Sequence, residues 1–139
     1  MITPETFRAA VESKDLVAIL GTLDPAIEFH SPVMVKPYQG RDAVTGLLRV
    51  LIEVFEDFHY TDELVGYAPA GRPDRSGGPP AQALIFSARV MGKHVQGVDL
   101  IRFNDAGLVT GLTVMVRPLP AAMTLARLVG RRMEQDEFA

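Results

Sequence analysis

Apolar and polar positions switch between two periods along this chain, and the switches mark its elements. Phe7, Ala10 and Val11 share one face after Thr3-Pro4-Glu5, which supplies a hydroxyl cap, a proline at the first helical position and an acid in the first turn. Ser13-Lys14-Asp15 offers a second cap. Leu16, Ile19, Leu20 and Leu23 then continue at helical spacing until Asp24-Pro25, where proline stops the ladder. The chain therefore opens with two short helices or one bent one. Ala26 to Val33 alternates Ile27, Phe29 and Ser31 against Glu28 and His30, the period of a half-buried strand, with Pro32 ending it or holding it at an edge. After a short loop carrying Tyr38, Gly40-Arg41-Asp42 opens the longest helix, whose stripe of Val44, Leu47, Leu48, Leu51, Val54 or Phe55 reaches to about Phe58.

Four strands follow. Phe58 to Tyr67 is the least clear. Residues 68–80 (APAGRPDRSGGPP) lack periodicity and are expected to form an exposed, flexible loop. Ala83 to Met91 turns at Gly92-Lys93 into His94 to Phe103, and Asn104-Asp105-Ala106-Gly107 forms a hairpin turn into Leu108 to Val116. Gly97 and Gly111 in mid-strand imply bulges or close backbone approach, which curl a sheet. A C-terminal helix over 119–134 carries a stripe of Met123, Leu125 or Ala126, Leu128 or Val129, and Met133. Strands in succession joined by hairpins predict an α+β domain: a cone-shaped, strongly curved antiparallel sheet with helices over its concave face and an apolar interior.

The totals narrow the chemistry. With 139 residues the chain makes one domain, 1–139, and with no cysteine it has no disulfide or thiolate chemistry. Its three histidines, His30, His59 and His94, show no metal-ligand spacing, so neither a metal nor a cofactor is expected. A net charge of −3 argues against a nucleic-acid or anionic-membrane partner. No apolar run approaches the ~18 residues of a membrane span, and the N-terminus lacks the pattern of a signal peptide, so the cytoplasm is the expected compartment.

The candidate chemistry centres on Gln96 to Arg117, where Asp99 interrupts an apolar run between Val98, Leu100 and Ile101. If Asp99 follows Ile101 and Phe103 toward the helices, it is a buried acid able to exchange a proton. The alternative is a structural acid tied to a backbone amide or to Arg117 or Arg89. Ser31 should face inward and Tyr38 should sit over the cavity mouth, either as ligand contacts or as turn and rim residues. His30 points to the outer face, and the direction of His59 is open. Phe7, Phe29, Phe86 and Met115 read as core or cavity wall, and Arg117 as a partner for Asp99 or for an anionic ligand.

This order of elements, with Asp15-Leu16 after the first helix, FHSPV before Gly40-Arg41-Asp42-Ala43, DLIRFNDAG, and the closing VMVRP, resembles the NTF2-like superfamily and its SnoaL-like branch. The resemblance spans roughly residues 3 to 118 and implies a cystatin-like α+β cone, commonly a homodimer through the outer sheet face. Ketosteroid isomerase in that superfamily uses a carboxylate base and an oxyanion pair of a tyrosine and a neutral acid. The acid matches Asp99, but the base position matches Ser31 and the tyrosine position Phe7. Limonene epoxide hydrolase relatives need an arginine where Gly97 stands, whereas SnoaL-like cyclases place an acid or histidine in the cavity, a role open to Asp99. The resemblance thus implies a small apolar ligand and cofactor-free isomerisation, dehydration or cyclisation through Asp99, with Ser31, Tyr38 or His59 positioning the substrate. The rival reading is a non-catalytic homodimeric carrier or interaction module.

Overall fold

A computed structural model describes residues 4–66 and 81–138, with side chains over 5–66 and 81–134. The elements are α1 (Pro4–Glu12), α2 (Leu16–Leu20), β1 (Leu23–His30), β2 (Tyr38–Gln39), α3 (Arg41–Val54), β3 (Glu56–Gly66), β4 (Ala81–Val90), β5 (Lys93–Phe103), β6 (Val109–Arg117) and α4 (Leu119–Phe138). Thr3, Tyr67 and the expected loop over 68–80 lie outside the described residues. The fold is α+β, with a curved, unclosed sheet whose strands run in the order β2-β1-β6-β5-β4-β3.

The opening resolves as two helices. Asp15 caps α2 by accepting from the Ala18 N–H at 3.1 Å, and Lys14 takes the left-handed φ of 58° that lets the chain turn between the helices. The expected stop at Asp24-Pro25 falls elsewhere. Gly21 ends α2, and Pro25 lies inside β1. It fits there because the β1–β6 pairing breaks between Leu23↔Val109 and Glu28↔Gly111, so no ladder hydrogen bond is asked of a residue with no N–H. That pairing is parallel, a correction to the all-antiparallel sheet expected from hairpins. β1 reaches β6 only across the intervening α3 and four strands, a connection long enough for a parallel pair.

The second helical stripe extends past its helix. α3 stops at Val54 rather than near Phe58, and α4, at 20 residues, is the longest helix. Phe55 and Phe58 keep a three-residue spacing on one face because Asp57 sits at φ 53° in a register shift between Glu56 and His59. A bulge there imitates helical periodicity. On α4 the buried positions are Ala121, Leu125 and Val129, while Met123 faces out.

Both mid-strand glycines have structural roles. β5 and β6 slip by one residue between Arg102↔Gly111 and Phe103↔Val109, leaving Thr110 as the extra residue beside Gly111. Gly97 lies under the Phe86 ring, and a Cβ there would stand 2.1 Å from Phe86 Cζ and 2.7 Å from the Met115 carbonyl oxygen. Asn104 secures the β5–β6 turn by accepting from Ala106 and Leu108, and its amide donates to Asp24 at 2.9 Å, tying the hairpin to β1. Gly97→Ala should lower stability by about 1–3 kcal/mol in denaturant titration, the usual cost of overpacking. Adding Phe86→Leu should recover only part of that loss, because the backbone contact with Met115 remains.

Candidate active site

The inward faces of the sheet, together with α1, α3 and α4, enclose a cavity of about 290 Å³ whose wall is almost wholly apolar. Strand alternation supplies it. On β5, Val95, Gly97, Asp99, Ile101 and Phe103 are buried while Gln96, Leu100 and Arg102 face solvent. β4 contributes Phe86 and β3 contributes Phe58, with Tyr60 two residues further along the same side of β3. Phe58 stacks on Phe86 with centroids 4.7 Å apart and meets Tyr60 edge-on at 5.1 Å.

Asp99 is 6% exposed and lines this cavity. The Tyr60 hydroxyl donates to its Oδ2 at 2.7 Å, and no other side chain among the described residues hydrogen-bonds it. No cation among the described residues is beside it. Arg89 is held by Asp57, and Arg117 donates to Gln96 Oε1 at 3.3 Å on the outer face. Burial therefore dominates, raising Asp99 from 3.8 to about 7, while the Tyr60 hydrogen bond pulls it back. Tyr60 is raised well above its ordinary range by its own burial first and by the Asp99 charge second, so the phenol keeps its proton. The outcome is a carboxyl group near half ionisation at neutral pH, with one oxygen fixed by a phenol. Such a group can take a proton from a bound molecule or give one to it.

Of the residues singled out in the sequence, Phe7, Phe29, Ser31, Tyr38, Phe86 and Asp99 all line the cavity. The Ser31 hydroxyl already accepts from the N–H groups of Val33 and Met34, at 3.4 and 3.1 Å. Three assignments need correction. His59 is exposed, its ring against the Asp57 carbonyl at 3.0 Å, because Phe58 and Tyr60 take the inward positions on either side of it. Met115 is 51% exposed and Arg117 faces solvent, because Leu112 and Val114 are the inward residues of β6. His30 turns outward as expected and binds Glu28 at 2.6 Å. Tyr60 went unrecognised, although its spacing of two from Phe58 was a signal for it. Lys14, part of the cap before α2 in the sequence pattern, also lines the cavity. Among the described residues no three His, Asp or Glu side chains gather as metal ligands, and no helix is long and apolar enough to cross a membrane.

No protein-family model matches the chain, and neither does any curated protein sequence. Solved structures do match. A steroid delta-isomerase from Pseudomonas aeruginosa is 34% identical, with a TM-score of 0.80 over 96% of this chain and 90% of that one. This chain belongs to the NTF2-like superfamily. An uncharacterised protein with a cystatin-like fold from Silicibacter pomeroyi DSS-3 is similar at 26% identity and TM-score 0.77, covering 92% of this chain and 82% of that one. An NTF2-like protein of unknown function from Cytophaga hutchinsonii shares the fold at 18% identity and TM-score 0.58, covering 86% and 95%.

Within this NTF2-like chain the phenol beside the buried acid comes from β3, not from α1, where Phe7 stands. Removing that phenol in Tyr60→Phe should move Asp99 further above about 7, as read by carbon-detected NMR titration, since the lost hydrogen bond is the one influence lowering it. The raised carboxyl also ties stability to pH. A folded-state value near 7 against 3.8 unfolded gives stability that is complete below 3.8 and lost as pH rises through about 7. Urea midpoints of the native protein should therefore fall between pH 5 and 8, and Asp99→Asn should flatten that fall.

Proposed function

We propose that this NTF2-like chain binds a small, largely apolar molecule in its cavity and moves a proton on it without a cofactor, with Asp99 as base and acid in turn. The observation that carries this is the single carboxylic acid among the described residues of the cavity wall, buried with no described counter-cation and held by Tyr60. As carboxylate, Asp99 takes a proton from an activated carbon of the substrate. As carboxylic acid, it returns that proton to another carbon, or to a departing hydroxyl, and is regenerated. Isomerisation, dehydration and cyclisation all fall within this scheme, and likeness to a steroid delta-isomerase at 34% identity favours the first. Tyr60 positions the carboxyl, while Ser31 and Tyr38 orient the ligand.

The second reading is a non-catalytic carrier, favoured by Ser31 and Phe7 standing where ketosteroid isomerase has its base and tyrosine. Both readings are of a cytoplasmic homodimer. Half-exposed Met115, together with Leu100 at 40%, gives the outer sheet face an apolar surface suited to self-association.

The test is a panel of cyclic ketones, from single rings to steroids, offered in D2O. At least one should raise the melting temperature by mass action and take up deuterium beside its carbonyl, at a rate rising through about pH 7. Asp99→Asn should keep the thermal shift and lose the exchange. Binding without exchange in the native protein would leave the carrier reading, and no binding across the panel would remove both.

A further inference from the structure

The cavity lining carries one cation that no described acid neutralises, and its placement says something about the ligand. Lys14 is the sole lysine, arginine or histidine among the described cavity-lining residues. Its ammonium donates to the Phe55 carbonyl at 2.9 Å, a neutral group just past the end of α3, and it makes no ion pair among the described residues. The nearby acids in sequence are occupied otherwise: Asp15 accepts from the Ala18 N–H and Glu12 from the Tyr60 N–H. The turn that carries Lys14 is fixed by its left-handed φ of 58° and by its N–H on the Val11 carbonyl at 3.0 Å. Lys14 is exposed, but its ammonium is tethered beside the apolar cavity lining, with one of three donors engaged.

We infer that Lys14 is a specificity-determining residue that selects cavity ligands bearing an anionic group, a carboxylate or sulfonate, attached to an apolar ring body. This rests on the reading of the cavity as a ligand site. The apolar body fills the cavity, the anion stays at the rim where water reaches it, and Lys14 supplies the complementary charge with hydrogen bonds to spare. The Phe55 carbonyl keeps the ammonium in place while the site is empty.

The probes are 1-anilinonaphthalene-8-sulfonate and N-phenyl-1-naphthylamine, which share one ring system and differ by the sulfonate. Fluorescence titration with mutual displacement reads both at one site. The native protein should prefer the sulfonate by about fivefold, the scale of one partly exposed charge-assisted contact, and the preference should shrink as salt is added. Lys14→Met should abolish the preference and leave the neutral probe's affinity unchanged, while Lys14→Arg should keep it. Damage to the α3 end alone would weaken both probes together, so an equal loss, or an unchanged ratio in Lys14→Met, overturns the assignment of Lys14 and leaves the cavity reading intact. Failure of both probes to bind the native protein overturns the two readings at once.

Discussion

A carboxyl group buried in an almost wholly apolar wall, with one phenol and, among the described residues, no cation for company, sets the terms for the rest of this structure. Taking an ionised carboxylate out of water is costly unless charge or hydrogen bonds replace the lost solvation. Here only Tyr60 does so, and its single bond offsets part of the cost. The acid therefore responds by holding its proton to higher pH. An arginine two residues earlier on the same face, at Gly97, would have supplied the missing charge and turned Asp99 into half of an ion pair. Glycine there leaves the charge uncompensated and gives its space to the ring of Phe86.

The contact between Tyr60 and Asp99 also depends on sheet shape. β3 and β5 are not neighbours, since β4 lies between them, so their backbones are separated by about two strand spacings, roughly 10 Å. A flat sheet would stand the two side chains side by side and apart. Curvature inclines them toward each other on the concave side. Phe86, opposite both Tyr60 and Gly97 in register, leans onto β5 because Gly97 offers no Cβ in its way. The register shifts in β3 and the extra residue at Thr110 supply part of the bend. One glycine and three register irregularities thus stand behind a 2.7 Å hydrogen bond.

Much of this was legible in the residues, and most of the failures trace to register slips. Element order followed from periodicity except for β2, whose two residues, Tyr38 and Gln39, fall in the expected loop and are too few to show a period. The inward turn of Asp99 followed from its spacing of two from Ile101 and four from Phe103, which no irregularity interrupts. Met115 and Arg117 were misassigned because of Thr110. Continuing the pairing Phe103↔Val109 without a slip would set Met115 opposite Gly97 and Arg117 opposite Val95, both facing the cavity. The extra residue instead puts Val114 opposite Asp99 and sends Met115 and Arg117 outward. Gly111 marked a bulge near this place, but a glycine does not say which neighbour is the surplus one. The same kind of slip hid Tyr60. With Asp57 left-handed, Phe55 and Phe58 mimic a helix, and beyond Tyr60 the strand is exposed on both faces, so its period gave nothing to count from. The parallel β1–β6 pair was out of reach for another reason, since contacts between distant segments leave no local pattern.

A cavity with a single acid also restricts what the proposed chemistry can be. Where base and acid are separate groups, a proton can be taken on one face of a substrate and delivered on the other. With Asp99 alone, the proton removed and the proton returned pass through one carboxyl held in place by Tyr60. Both carbons, or the carbon and the leaving hydroxyl, must then lie within reach of that group on the same face of the bound molecule. The group must also be stable in both states, which a value near neutrality allows and a salt-bridged carboxylate would not. Such a site suits short same-face shifts over two or three atoms of a rigid ring, and the apolar wall opposite Asp99 is what would hold that ring still while the proton travels.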